Sequence, residues 1–407
     1  MRIVLFYSET ESFNFFTDQL AEELRVRGHE AFILDYLRPQ SEGAHSYKEF
    51  AGFAAKKIDA VICFDGLGSR EDMLIELWDA HEAVVVNILM DHPLRFHPTF
   101  EKHPRRYLLF CCDRDHVTYV REYFGDKVPY VLFMPHVGVA PKENGQIVPY
   151  KERRYEILFS ATYYQPESML SQVGKQMSLR FSDGTSMDEF YRFVYQNLKE
   201  NSGFTTEQAV LYTINQLGWQ LSMDAVRTLM NGSVYVDWAI RQYQREQVVK
   251  VLAESGIPFY LLGRGWENHP SIHCKNVHRL DDRVAYARTL PVMADAKINL
   301  NVMPWFKDGS HDRIPNTLLQ HSVPLTDTSR WLEDNFVDGQ DIALYDLDHL
   351  EELPAIVERL LTDQELAEEI IRNGYEKVLL NLTWGHCAEW VLDGIQAVRA
   401  KKLKKNT

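Results

Sequence analysis

The sequence predicts an α/β protein built as two doubly wound parallel sheets, and three observations carry that expectation. The chain has 407 residues, more than one hydrophobic core usually serves, so two domains are expected. In both halves, short apolar runs alternate with segments of helical spacing, the rhythm of strand–helix–strand crossovers. From Ile257 to Asp327, successive apolar runs end in polar loops rich in Arg, His, Asp and Trp. Open parallel sheets carry their ligand-binding side chains at such strand ends.

Residues 2–7 form the first expected strand. Ser12 is placed to cap a helix running to Arg27, with Phe13, Phe16, Leu20 and Leu24 at helical spacing and Gly28 as its stop. Strands follow at 31–35, 60–64, 83–89, 107–112 and 130–134, with a helix over 70–81. The loop after the first strand, S-E-T-E-S-F-N, lacks glycine, so it is no G-x-G-x-x-G dinucleotide site and NAD or FAD is disfavoured. The polar stretch 141–154 reads as a linker. A second rhythm starts with a strand at 156–161. Residues 165–254 then show helical patterns and no good strand, the last pattern carrying Arg241 and Arg245 four apart on one face. Strands resume at 257–262, 298–302 and 323–326. Helices are expected at 350–361, 364–377 and 383–400, before the short basic tail K-K-L-K-K.

Bulk properties narrow the function classes. Hydrophobic residues make up 45% and charged ones 25%, ordinary for a globular protein. A net charge of −14 argues against non-specific nucleic-acid binding. No apolar run approaches the roughly 20 residues that cross a bilayer, so no membrane span is expected. The N-terminus lacks the apolar region and cleavage site of a signal peptide. Five cysteines without a C-x-x-C pair suit reduced thiols and a cytoplasmic setting.

Several residue groups could carry chemistry. Gly263, Arg264, Gly265 and Trp266 follow a strand directly. The glycines would let backbone N–H groups approach a ligand, and Arg264 would offset phosphate charge; a turn with a surface arginine is the plainer reading. The loop from Pro304 to Asn316 holds Trp305, Lys307, His311, Asp312 and Arg313. Its cations would stabilise a leaving diphosphate without a metal. Its tryptophan, like Trp266, suits a sugar or base face. Asp312 would cap the following helix, on which Arg313 and Asn316 share a face. In the first half, Asp91 and His92 end a strand and could supply a general base, though an Asp-started turn before Pro93 fits as well. His136 and Asp65 stand at other strand tips. Asp113 and Asp115 form a D-x-D that could hold a divalent metal and a nucleotide diphosphate; a helix start capped by Asp115 is the simpler reading.

The block from Asp237 through L-L-G-R-G-W, together with A-K-I-N-L-N-V, H-D-R-I-P-N, V-P-L-T-D and D-G-Q-D-I-A-L-Y-D, resembles the spore-maturation CgeB-type glycosyltransferases of the GT-B superfamily. D-H-P, C-D-R-D-H-V-T-Y and M-P-H-V-G are similar in the first half. The resemblance implies two Rossmann-like domains facing across a cleft: an acceptor-side domain over 1–150 and a nucleotide-sugar domain over 151–385 with a helical segment at about 165–254. A helix over 386–407 would cross back to the first domain. It implies a nucleotide-sugar donor, a saccharide or protein acceptor and no bound metal or other cofactor, with Gly263, Gly265, His311, Asp312 and Arg313 at donor positions. The chain departs from the pattern at Asn316, where many GT-B enzymes carry a glutamate for the donor ribose, and at His321-Ser322, where a small residue and glycine are common. The expected activity is metal-independent sugar transfer to an acceptor hydroxyl. Metal-dependent transfer through Asp113 and Asp115, sugar-nucleotide epimerisation, or an inactive nucleotide-binding subunit are the alternatives.

Overall fold

A computed structural model describes residues 1–35, 37, 43–140, 147–176, 181, 183–281 and 284–403. Residues 141–146 of the expected 141–154 linker and the last residues of the basic tail lie outside them. The chain divides into two compact units. One comprises Met1–Val139, Ala285–Ala287 and the chain from Asn381 on; the other comprises Ala140–Val284 and Arg288–Leu380.

The first unit holds β1 (Arg2–Phe6), β2 (Glu30–Leu34), β3 (Ala60–Phe64), β4 (Val84–Leu89), β5 (Tyr107–Cys111) and β6 (Val131–Phe133). They pair in the order β2-β1-β3-β4-β5-β6, every pair parallel. Strands covered on both faces read as near-continuous apolar runs, which is why all six were visible in the sequence. The Glu11–Val26 helix presents Phe16, Leu20 and Leu24 to Ile3, Leu5 and Ile33. Its N-cap is Thr10 rather than Ser12, and no side chain closes that end. Gly28, at φ +78°, makes the left-handed turn behind it. The Trp384–Arg399 helix lays Ala388, Val391 and Ile395 into the same core as Leu108 and Phe110. Gly394 is required there, because a Cβ would lie 2.6 Å from Leu108 Cδ2.

The second unit holds β7 (Tyr155–Ser160), β8 (Phe259–Leu262), β9 (Val277–Arg279), β10 (Ala296–Asn301), β11 (Val323–Asp327) and β12 (Ala343–Tyr345). Their order is β12-β11-β10-β7-β8-β9, again parallel. The sequence reading missed β9 and β12. Each pairs over three residues at a sheet edge; β6 is as short, but it sits inside the longer apolar run at 130–134.

Between β7 and β8 the described residues form helices only: Pro166–Gln176, Met187–Glu200, Thr206–Gln216, Met223–Gly232 and Val234–Ser255. Ser186 and Thr205 start two of them with capping boxes. The Val234–Ser255 helix buries apolar, amide and charged side chains around its circumference. That dispersal hides its apolar stripe from a periodicity search. It ends at Gly256, in the left-handed conformation. Leu158 pairs with Asn299, so Ser160 and Asn301 end the two central strands side by side.

Candidate active site

In the second unit, the C-terminal ends of β7, β10 and β11 converge on Arg313. This arginine opens the Arg313–Leu319 helix. Its Nε donates to the Ser160 carbonyl at 2.7 Å and its NH1 to Asn301 Oδ1 at 2.8 Å. Asn301 is held in turn by its Nδ2, which donates to Thr326 Oγ1 at 2.9 Å on β11. One guanidinium therefore spans the two central strand ends from a half-buried position, and three strands hold it still. A charge fixed in this way needs no reorganisation when negative charge develops beside it.

Asp312 precedes Arg313 as expected but does not cap the helix with its side chain. Its Oδ1 instead lies 2.5 Å from His311 Nδ1. The same ring nitrogen faces the Arg313 N–H at 3.2 Å, so Nδ1 stands between the Asp312 carboxylate and the start of the helix. The expected capping fails because the neighbouring imidazole is the stronger partner. The Asp312 carbonyl accepts twice from Asn316, from its backbone N at 3.1 Å and from its Nδ2 at 2.9 Å. Asn316 is 2% exposed, and its amide serves the backbone turn.

The β8 loop has a different role from the one its glycines suggested. Gly263 and Gly265 sit at φ +123° and +84°, and a Cβ on either would collide with the carbonyl oxygen of Ala161 or Tyr163. The glycines let this loop lie against the one leaving β7, where Tyr163 N donates to the Arg264 carbonyl at 2.9 Å. Trp266 is fully buried. Its Nε1 donates to the Ala161 carbonyl at 2.7 Å and its ring stacks on Tyr163 at 5.2 Å. Its indole is core and offers no open face. Arg264 is exposed at the loop's tip.

The same-face pair Arg241 and Arg245 meets Trp305. The Arg241 guanidinium lies 4.2 Å and that of Arg245 5.5 Å from the indole centroid, within cation–π range. Arg241 also pairs with buried Asp237 at 2.6 Å, and Arg245 NH1 donates to the Thr162 carbonyl at 2.8 Å. The spacing of the two arginines was legible; their aromatic partner, some sixty residues on, was not. Lys307 donates to the Ser202 carbonyl, which commits its ammonium to the helical segment. Asp327, at the end of β11, accepts from Met303 N at 2.7 Å. Burial pushes its carboxyl up to about 7, against the lowering effect of that N–H and of Lys307.

In the first unit, Asp91 pairs with Arg95 one helical turn on. His92 is 1% exposed. Its Nδ1 accepts from Leu94 N at 3.1 Å, and its ring meets His116 and Tyr119 edge-on at 4.4 and 5.3 Å. That geometry makes it an anchor of the turn. Asp65 stands beside them, half-buried at φ +51°, with Oδ1 accepting from Met90 N at 2.9 Å. Burial first, and the charge of Asp91 second, raise its carboxyl to about 7. Position alone could not single it out, because the shift comes first from burial and then from Asp91, beyond the end of another strand. His136 is buried. In the D-x-D, the capping residue is Asp113 rather than Asp115. Fully buried, it accepts from Asp115 N at 2.7 Å to start the Arg114–Phe124 helix.

Comparison with known proteins places this geometry. Residues 241–393 match the family described as glycosyl transferase-like. No curated protein matches the sequence. Among solved structures, an alpha-glucosyltransferase in complex with UDP and a 13-mer DNA containing a central A:G mismatch is similar with a TM-score of 0.57 at 11% identity, over 97% of this chain and 100% of that one. Sucrose-phosphate synthase from Thermosynechococcus elongatus gives 0.55 at 10% identity, over 98% and 100%. T4 phage BGT in complex with its UDP-glucose substrate gives 0.53 at 9% identity, over 98% and 99%. The fold is the two-domain α/β fold of the GT-B glycosyltransferases, and the family match together with it supports a glycosyltransferase. Among the described residues no helix is long and apolar enough to cross a membrane.

Proposed function

We propose that the chain transfers a sugar from a nucleoside-diphosphate sugar to an acceptor hydroxyl, and that it is a CgeB-type member of the GT-B enzymes. The carrying observation is Arg313, tied to Ser160 and Asn301 at the ends of β7 and β10 beside the His311–Asp312 pair. UDP or UDP-glucose is named with the similar structures, which makes a UDP-sugar the first donor to try.

In this reading the acceptor oxygen attacks the anomeric carbon and its proton passes to a carboxylate of the first unit. The bond from the anomeric carbon to the diphosphate oxygen breaks with its electron pair. The ring carbon passes through an oxocarbenium-like state. Arg313, Arg264 and His311 take up the charge on the departing diphosphate. The base is the Asp65–Asp91 carboxylate pair, with His92 positioning the loop that carries Asp91. A carboxyl that titrates near 7 is suited to accept a proton at neutral pH. Transfer is metal-independent, with the fixed guanidinium taking the place of a cation. Asp113 supports this, since its carboxylate already holds a helix start. The acceptor is a saccharide or a protein. The setting is cytoplasmic, in keeping with five cysteines that are all free.

Calorimetry with UDP, followed by donor turnover with and without a chelator, tests the reading. Binding of UDP and turnover that survives chelation are expected. A chain that binds no nucleoside diphosphate is not this enzyme, and turnover lost to chelation and restored by manganese returns the chemistry to a metal.

A further inference from the structure

The second unit carries a groove that none of the chemistry above uses. It has a volume of about 620 Å³ and lies between the Val234–Ser255 helix and residues 347–354. Tyr243, Gln247, Val251 and Glu254 line it from one face of that helix, at steps of four, four and three residues. The same helix turns a different face, with Arg241 and Arg245, to Trp305. The groove is therefore separate from the strand-end site.

Its lining is chemically mixed. Gln244 is 5% exposed, yet among the described residues its carboxamide makes no hydrogen bond, and neither does that of Gln247. Neither carboxamide is among the buried polar atoms without a partner, so both are open to the groove and free to pair with a ligand there. Lys199 holds its ammonium 4.7 Å from the Tyr243 ring centroid. Three carboxylates, Glu254, Asp348 and Glu351, stand on the rim, and Asp348 is fixed by Ser202 Oγ, which donates to it at 2.6 Å. Leu347, Leu350, Val251 and Pro354 supply apolar surface.

We infer that this groove binds a neutral oligosaccharide. One ammonium against three carboxylates repels a nucleotide or any other polyanion. Carboxamides and carboxylates satisfy sugar hydroxyls as donors and acceptors, while the apolar residues receive the sugar's C–H face. The groove is a carbohydrate-holding surface additional to the donor site. It does not depend on the assignment of Arg313, because binding here needs no nucleotide.

The full-length protein is applied to an array of neutral oligosaccharides of varied linkage, alongside uronate-bearing oligosaccharides and spermine. The best neutral binder is then measured by calorimetry. Binding of a neutral oligosaccharide is expected. It should weaken roughly 3–10-fold in Gln244→Leu, the scale of one lost hydrogen bond, and further in Tyr243→Ala, while UDP affinity in both variants stays at the wild-type value. Gln247→Ala, on the outer part of the same face, provides the weakened variant if a buried replacement unfolds, and melting curves decide that point. An array with no neutral binder overturns the inference. So does binding that survives all the variants, or binding confined to spermine or the uronates. Loss of UDP binding with oligosaccharide binding intact would instead count against the donor site alone.

Discussion

Arg313 was legible in the sequence as one cation of a crowded loop; what the sequence hid is that Ser160 and Asn301 immobilise it. Arg313→Ala is expected to weaken UDP binding by roughly 1.5–3 kcal/mol, the scale of hydrogen bonds to charged groups. Calorimetry checks this once a melting curve shows the variant folded. Asp327 offers a second residue-scale result. Its native carboxyl titrates near 7, above the ordinary carboxylate value. Between about pH 4 and 7 the folded protein therefore retains a proton that the unfolded chain has released. Stability from this group falls as pH rises through that window and is lowest above it. Asp327→Asn keeps the acceptor for Met303 N and removes the cost of ionisation. It should melt above wild type at pH 8, by up to about 4 kcal/mol of stability, with the gain shrinking toward pH 5. A gain equal at both values would mean that Asp327 is not protonated in the native state. Such shifts are invisible in a sequence because they are set by what surrounds the strand end.

At the scale of elements, the twelve strands divide instructively. Ten were readable because they lie in longer apolar runs; β9 and β12, three residues each, stand in short stretches bounded by polar residues and were not. The loops at strand ends were readable as polar, but their work was not. Gly263 and Gly265 look like a ligand cradle in sequence, and in the fold they are where two loops press together. Gly265→Ala is expected to lower the melting temperature, with a cost above about 1 kcal/mol, since it combines a positive φ with a collision against the Tyr163 carbonyl. An unchanged melting curve would show that the β7 loop can yield. In the Val234–Ser255 helix, Asp237→Ala strips the buried carboxylate from Arg241 and is expected to cost about 3–5 kcal/mol. Denaturant melts would read that loss, and Asp237→Asn, which retains an acceptor, should recover part of it.

For the whole molecule, α/β alternation and the two-sheet plan followed from the sequence alone, because crossover connections leave few alternatives once strands and helices alternate. The extent of each unit follows a less obvious rule, since the first takes in the Trp384–Arg399 helix after the chain has passed through the second. Ending the chain after Leu380 should expose Leu108 and Phe110 and abolish the first unit's cooperative unfolding. Loss of protease resistance over the first 139 residues, with the second unit's fragment persisting, would report it. The Trp384–Arg399 helix also bears on how the protein is made. Synthesis runs from the N-terminus, so the first sheet emerges from the ribosome well before the helix that completes its core. The nascent first unit must wait through nearly 250 further residues, some tens of seconds at ordinary elongation rates, with an apolar face uncovered. A general chaperone that recognises such surface has its natural client in that interval.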